Sequence, residues 1–195
     1  MSIRLDLINS MLATTGTAKL SAADETHPSY IIADAVLSEV IEEFSSKELW
    51  FNTTIRTLAP NTDKCVVVPS NALSCDPVDA RLDYAIRGQY LFDLGNYSFD
   101  ITDSVKCVIV TEMVLEDMPP IALQFIRAHA RLQYYVDQEG SGPKMQAYQQ
   151  KAFSKDSELI TINMKHTDAN SFSGQAYADF STRRPATHST ITRIQ

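Results

Sequence analysis

The sequence predicts an α+β fold: an antiparallel helical bundle of about four helices, a small inserted β unit and an extended C-terminal arm. Three observations predict it. Apolar residues recur at helical spacing in residues 1–50 and again in 116–169. Between them, in 51–115, the texture turns to short alternating and β-branched runs cut by turn residues. Residues 170–195 lose both periods and become rich in Ser, Thr and Ala. The chain therefore divides into a two-part helical domain, 1–50 with 116–169, an inserted β domain, 51–115, and an arm, 170–195. Its 195 residues, 44% of them hydrophobic, suffice for one packed domain plus a small insertion.

Ser2 is placed to cap a first helix over Ile3 to Thr15, in which Leu5, Ile8, Met11 and Leu12 recur at helical spacing and Gly16 supplies the stop. Thr17 to Thr26 reads as a loop. Pro28 suits the first turn of a second helix, with His27 placed to help cap it. Ile32, Val36, Leu37, Val40, Ile41 and Phe44 form its apolar stripe, and Asp34, Glu39, Glu42 and Glu43 lie mostly off it. Run to Leu49, roughly 22 residues make a rod of about 33 Å.

From Trp50 the pattern is that of strands. Residues 51–58 alternate, and Cys65 to Val68 is a short apolar run closed by Pro69. Tyr84 to Asp93 reads as two strands about a turn at Arg87-Gly88, Tyr97 to Asp100 is brief, and Val105 to Leu115 is β-branched. Pro60-Asn61, Asn71, Pro77, Gly88 and Gly95-Asn96 punctuate these five or six strands. Trp50 and Met118-Pro119 mark the two crossings between helical and β segments, so Trp50 is expected to be largely buried at the junction. Past Pro120, Ala122, Phe125, His129, Leu132 and Val136 share one face of a third helix. Gly140-Ser141-Gly142 breaks it. Pro143 opens a fourth, continued by Met145, Tyr148, Ala152, Ile160 and Met164 towards His166 or Ala169, and the short loop makes the two antiparallel neighbours.

With 17 basic and 24 acidic residues, the net charge is −7. Sequence-independent clamping of nucleic acid needs a basic surface that displaces counterions, so that class fits poorly, although a channel through which DNA slides remains compatible. Six glycines disfavour a glycine-rich phosphate cradle. Cys65, Cys75 and Cys107 form no CxxC, which argues for free thiols in or near strands rather than a zinc ribbon or redox pair. Asp6 lies early in the chain and no apolar run approaches ~18 residues, so neither a signal peptide nor a membrane span is expected, and the surroundings are cytosol-like.

The sequence holds no GxSxG, HExxH, Walker loop or GxGxxG. No two of His27, His129, His166 and His188 stand three or four apart, so no metal or other cofactor is expected. His129, on an apolar helix face, reads as a satisfied core or interface histidine. Asp76, Asp79 and Asp83 cluster in the β unit. A glycosidase needs two carboxylates about 5 to 10 Å apart, so a glycan-hydrolase alternative would be built from these, while turn chemistry is the simpler account. Tyr84, Tyr90, Phe92 and Tyr97 form an aromatic series of the kind on which bases stack. Only Arg81 and Arg87 lie among them, beside Asp83 and Asp93, which favours core packing or a protein interface.

The arm carries Asp179 against Arg183, Arg184 and Arg193, a net +2 that leaves −9 on the rest. Ordering such a segment costs about 1 to 2 kcal/mol of backbone entropy per residue. Scattered anchors offset that only where they enter pockets, at roughly 1.5 to 3 kcal/mol each. Phe172, Tyr177, Phe180 and Ile191 are spaced as such anchors, and Arg183 and Arg184 are suited to partner carboxylates. These six are the candidate partner-binding residues, and the arm is expected to dock on another chain.

Two helices, a β insertion, two helices and an arm, in that order, resemble the tail tubular protein A family of T7-like short-tailed bacteriophages. The segments that carry the resemblance are Ile8-Asn9-Ser10-Met11-Leu12-Ala13-Thr14-Thr15-Gly16, Ser46 to Asn52, Tyr84 to Asp93 with its Arg-Gly turn, and Glu116-Asp117-Met118-Pro119 leading into the third helix. The resemblance spans nearly the whole chain. It implies a non-enzymatic head-to-tail adaptor, assembled in the host cytoplasm into a ring, typically of twelve subunits, in the virion tail. Its partners would be the portal protein, the nozzle (tail tubular B) protein and the tail fibres, with no membrane involved and the genome leaving through the bore. Twelve copies would carry roughly −84, a field that lets a phosphate backbone pass without binding it. Glu39, Glu42 and Glu43 are the acids expected to face that channel.

Overall fold

The computed structural model describes residues 2–24 and 26–171. In chain order it comprises α1 (Ile3–Leu12), α2 (Pro28–Ser45), β1 (Thr53–Leu58), β2 (Ala72–Pro77), β3 (Tyr84–Arg87), β4 (Tyr90–Asp93), β5 (Val105–Thr111), a 3-10 turn (Leu115–Asp117), α3 (Pro120–Glu139) and α4 (Met145–Ser171). The class is α+β, as the sequence predicts.

Helix α1 is nearly enclosed: Leu7, Ile8, Met11 and Leu12 are fully buried. It stops at Leu12 rather than Thr15. The Thr14 and Thr15 hydroxyls turn back onto the Met11 and Leu12 carbonyls at 2.7 and 3.1 Å, and Gly16 takes a φ of +77°. The side chain of Ser2 makes no capping bond; its backbone carbonyl accepts the Asp6 N–H at 3.2 Å. Buried Asn9 holds the following loop, donating to the Leu20 carbonyl at 3.0 Å and accepting the Leu20 N–H at 2.8 Å. Arg4 reaches Asp34 of α2 at 2.6 Å and Ser38 at 2.7 Å.

Helix α2 begins at Pro28, as expected, but the His27 ring does not cap it: Nδ1 is buried without a partner, and only the His27 backbone carbonyl takes part. The helix ends at Ser45, so the rod is about 27 Å long, not 33 Å. Helices α2 and α3 run antiparallel, the Phe44 ring tilted against Phe125 at 4.8 Å while Glu39 meets Gln133 further along. Helices α3 and α4 are antiparallel too: Lys155 bonds Gln124, Asp156 bonds His129, and Tyr148 packs on Tyr135. The apolar face of α3 is rotated from the expected row. Ile121, Ala122, Phe125, Ile126, Ala130 and Tyr134 are buried, whereas His129 and Leu132 are half-buried and Val136 is exposed.

In the β segment, β5 is central, with β1 and β2 antiparallel on either side. Strands β3 and β4 form a separate hairpin whose tight turn places Gly88 at a φ of +65°. A second hydrophobic cluster lies here, built from Val66, Val68, Cys75, Leu91, Ile101, Val105, Cys107 and Ile109. Three expectations change. Cys65 to Val68 is not a ladder strand: it meets the hairpin through isolated bonds, Leu91 N–H to the Val66 carbonyl and Val68 N–H to the Gln89 carbonyl, before Pro69 ends the run. Strand β2 lies where the sequence suggests only turns. It is an edge strand with one buried side chain, Cys75, so it carries little apolar signal. Tyr97 to Asp100 likewise contributes only a bridge, Asp93 to Ser98.

The helical and β segments are joined through residues 49–52. The indole of Trp50 is half-buried rather than largely buried, packed edge-on to Phe51 at 4.9 Å and flat on His166 of α4 at 4.8 Å. Its backbone N–H donates to Asn163 at 2.9 Å. Asn52, 2% exposed, does most of the joining. Its Nδ2 donates to the Ser45 and Lys47 carbonyls at 3.1 and 3.0 Å, and its Oδ1 accepts the Leu49 N–H at 2.9 Å. Its own carbonyl accepts the Thr111 N–H at 2.9 Å, from the end of β5. Each buried group left unmet costs about 1 to 3 kcal/mol, so Asn52→Ala should lower unfolding free energy by about 2 to 4 kcal/mol. Urea titration checks this; a loss below about 1 kcal/mol would contradict the role given to the side chain.

Candidate functional site

Among the described residues no group of three or more His, Cys, Asp or Glu side chains could hold a metal ion, and no helix is long and apolar enough to cross a membrane. The histidine singled out from sequence is satisfied: His129 Nε2 lies 2.8 Å from Asp156 Oδ1, and its ring stacks on Phe125 at 4.1 Å. Cys75 and Cys107 are buried, Cys65 is half-buried, and all three are free. The Cys75 thiol bonds to Cys107, which with burial pushes it well above the ordinary thiol range.

Of the three aspartates of the β segment, two are exposed and the third is tied to a neighbouring arginine. Asp76 projects from β2 into solvent, and Asp83 is exposed in the following loop. Asp79 is engaged by Arg81, which donates to it through the backbone N–H at 3.0 Å and through the guanidinium at 2.6 to 3.2 Å. Those bonds lower its pKa to about 2. A glycosidase acid needs the opposite shift, so the turn reading holds for Asp79. Of the aromatic series, Phe92 is buried and Tyr97 is exposed. Arg87 lies 3.7 Å over the Phe92 ring and 5.5 Å over that of Tyr97.

Glu39, Glu42 and Glu43 are all exposed on α2, but they diverge. Glu39 accepts a bond from Gln133 of α3 at 3.0 Å, and Glu43, 3.9 Å from Lys47, borders the cleft between α2 and α3. Glu42 borders a different hollow, with Leu73 and Glu112. Phe172, Tyr177, Phe180, Arg183, Arg184 and Ile191 lie outside the described residues.

Among the apolar surfaces left open in the described residues, two involve α3 and α4. The first is a groove of about 220 Å³ between α2 and α3, floored by Val40, Phe125, Leu132 and Val136 and bordered by Glu43 and Asp137. The second is the outer side of α4, where Phe153, Ile160 and Met164 are 72%, 58% and 59% exposed. Sequence reasoning lists Ala152, Ile160 and Met164 together as the apolar residues that continue α4; among the described residues of α4, those that are buried are Ala152 and Leu159. The missed signal is that α4 carries two apolar rows, not one.

Asp79 also fixes a pH dependence. Its folded pKa is depressed, so its contribution to stability is present above the ordinary pKa of 3.8 and fades as pH falls towards about 2. A carboxyl NMR titration should give a midpoint near 2 that returns towards 3.8 in Arg81→Ala; an unmoved midpoint would contradict the pairing.

Comparison with known proteins follows the same order of elements. The model of the family described as tail tubular protein matches residues 5–171, which spans α1 through α4 and the whole β segment. The chain is 27% identical over 162 residues to tail tubular protein A of Klebsiella phage KP34, covering 83% of this chain and 87% of that protein. A match across that span shows that the chain belongs to the tail tubular protein family, structural proteins of the bacteriophage tail.

Proposed function

We propose that this chain is the ring-forming adaptor of a short phage tail, twelve copies joining the portal protein above to the nozzle (tail tubular B) protein below. The reading rests on the family match through residues 5–171, which takes in the helical segments and the β segment together. In this reading residues 1–50 with 116–169 are a helical-bundle domain that carries the ring, and residues 51–115 are a projecting domain. Residues 170–195 are an arm that docks on the portal or a neighbouring copy. Tail fibres attach near the lower junction, and the chain acts without catalysis. Rings form in the host cytoplasm and end in the virion tail.

The charge supports a conduit. A body at −9 repels a phosphate backbone, so DNA passes through the bore without being held. Glu39, Glu42 and Glu43 are the bore acids we assign; Glu43 borders the α2–α3 groove and Glu42 a different hollow. For the arm, Phe172, Tyr177, Phe180 and Ile191 act as apolar anchors and Arg183 and Arg184 as partners of carboxylates.

Two measurements test this. Light-scattering mass or image symmetry of the purified chain should give a closed ring near twelve copies; a monomer at all concentrations would overturn the reading. Deleting residues 170–195 should leave the melting temperature of the body within a few degrees of the parent while blocking attachment to DNA-filled heads. Normal attachment of the truncated chain would remove the arm from the mechanism.

A further inference from the structure

A hollow of about 520 Å³ between α1, the loop that follows it and α3 is basic, in a chain whose net charge is −7. Lys19, Arg127 and Arg131 line it, against one acid, Asp6. Elsewhere the bases are claimed: Arg4, Arg81 and Lys155 each hold a carboxylate at 2.6 Å. Among the described residues Lys19, Arg127 and Arg131 have no ion-pair partner, and Asp6 pairs with none of them.

The cluster is unfavourable as it stands. Arg127 and Arg131 are four residues apart on α3, so they lie one above the other on the helix surface, where like charges repel. Arg131 Nε is buried and has no hydrogen-bond partner among the described residues, and a charged donor left unmet in such a place is costly. The Arg131 guanidinium lies over the Tyr148 ring of α4, 5.1 Å from its centroid, a contact that favours one orientation of the fork. Lys19 is held at the rim through its neighbour: Leu20 exchanges both of its backbone bonds with buried Asn9, at 2.8 and 3.0 Å. The neutral groups of the lining are already occupied, Asn9 by Leu20 and the Ser10 hydroxyl by the Leu7 carbonyl at 2.7 Å. What the hollow offers a ligand is its charged donors.

We propose that this hollow is a carboxylate-recognition site that takes an acidic segment of a protein partner. Arg127 and Arg131 each present a planar fork that matches a carboxylate with two parallel bonds, and Lys19 adds a point charge at the rim. The volume lies in the range of about 300 to 1,000 Å³ that takes a ligand of many atoms, more than a lone inorganic anion fills. Duplex DNA fits less well. Sequence-independent grip on DNA is built from many phosphate contacts, and three bases beside Asp6 supply few, on a chain whose field opposes a polyanion. The site belongs to a single chain and does not depend on the ring reading.

The test titrates the full chain into a fluorescein-labelled hexaglutamate peptide, read by fluorescence anisotropy at low salt, with hexaglutamine as the uncharged control. Saturable binding of hexaglutamate and none of hexaglutamine is expected. Arg127→Gln combined with Arg131→Gln should weaken binding roughly tenfold or more. Lys151→Gln combined with Lys165→Gln removes the same charge from exposed positions on α4 and should leave binding within about twofold. Arg131→Lys keeps the charge but loses the fork, and should weaken binding several-fold. Arg127 is exposed, so Arg127→Gln alone should fold, with a melting temperature equal to the parent's or higher because the repulsion is relieved. Absence of hexaglutamate binding overturns the site. So does an equal loss from the α4 pair, which would mark attraction to overall charge. Displacement of the peptide by millimolar inorganic phosphate, or tighter binding of a short DNA duplex that the Arg127 and Arg131 changes abolish, would make it a phosphate site and overturn the carboxylate assignment.

Discussion

The fold depends on one side chain that ends a helix and starts a sheet. Helix α2 has no proline or glycine to stop it between Ser45 and Leu49. Asn52 ends it by taking the Ser45 and Lys47 carbonyls and the Leu49 N–H into its own amide, so the orphan groups of the last turn are met without another turn of helix. The backbone carbonyl of the same residue then receives Thr111. The end of α2, the start of β1 and the end of β5 are thereby fixed to each other through a residue that water scarcely reaches. In so dry a place each of these bonds is costly to leave unmade.

From that point the rest of the packing follows. Trp50 is held out of the core by the Asn52 turn, and it covers the junction by lying on His166 and taking the oxygen of Asn163. Helix α4 is therefore pinned at both ends of its described side chains: near Trp50 at one, and through Tyr148 on Tyr135 at the other, with His129 to Asp156 between. Helix α3 touches α1, α2 and α4, which is why its buried face is broad and why it takes aromatic and small residues together, Phe125 and Tyr134 beside Ala122 and Ala130.

The sequence is informative where one local rule acts alone. Pro28 and Pro120 start helices, Gly88 sets the hairpin turn and the β-branched run of β5 makes the central strand. It is less informative where a tertiary partner decides. The end of α2 is set by an asparagine in a segment that reads as the start of a strand. Strand β2 has a single inward side chain, so no alternation announces it. The apolar row expected on α3 is real as a sequence pattern, but the structure rotates the core towards Ile126, Ala130 and Tyr134, because α1 packs there. Asp76, Asp79 and Asp83 share a stretch of sequence, but spacing in a loop does not fix direction, and Arg81, two residues from Asp79, is near enough to claim it.

Helix α4 shows the same limit with a functional meaning. For a helix that serves a monomer, one stripe of apolar residues suffices, because one side faces a core and the other faces water. In α4 the core needs only Ala152 and Leu159, two turns apart, supported by Tyr148 and Ile162. Phe153, Ile160 and Met164 are surplus to that need, and they are not scattered: they fall in line on one side of the helix. Single exposed apolar residues are ordinary on a protein surface, whereas an aligned set marks a surface made for contact. Periodicity read from sequence merges the two rows, since both repeat at the helical period and differ only in phase. What separates them is which row meets α3, and that is settled by the His129–Asp156 and Gln124–Lys155 bonds, which turn Ala152 and Leu159 inward and leave Phe153 outside.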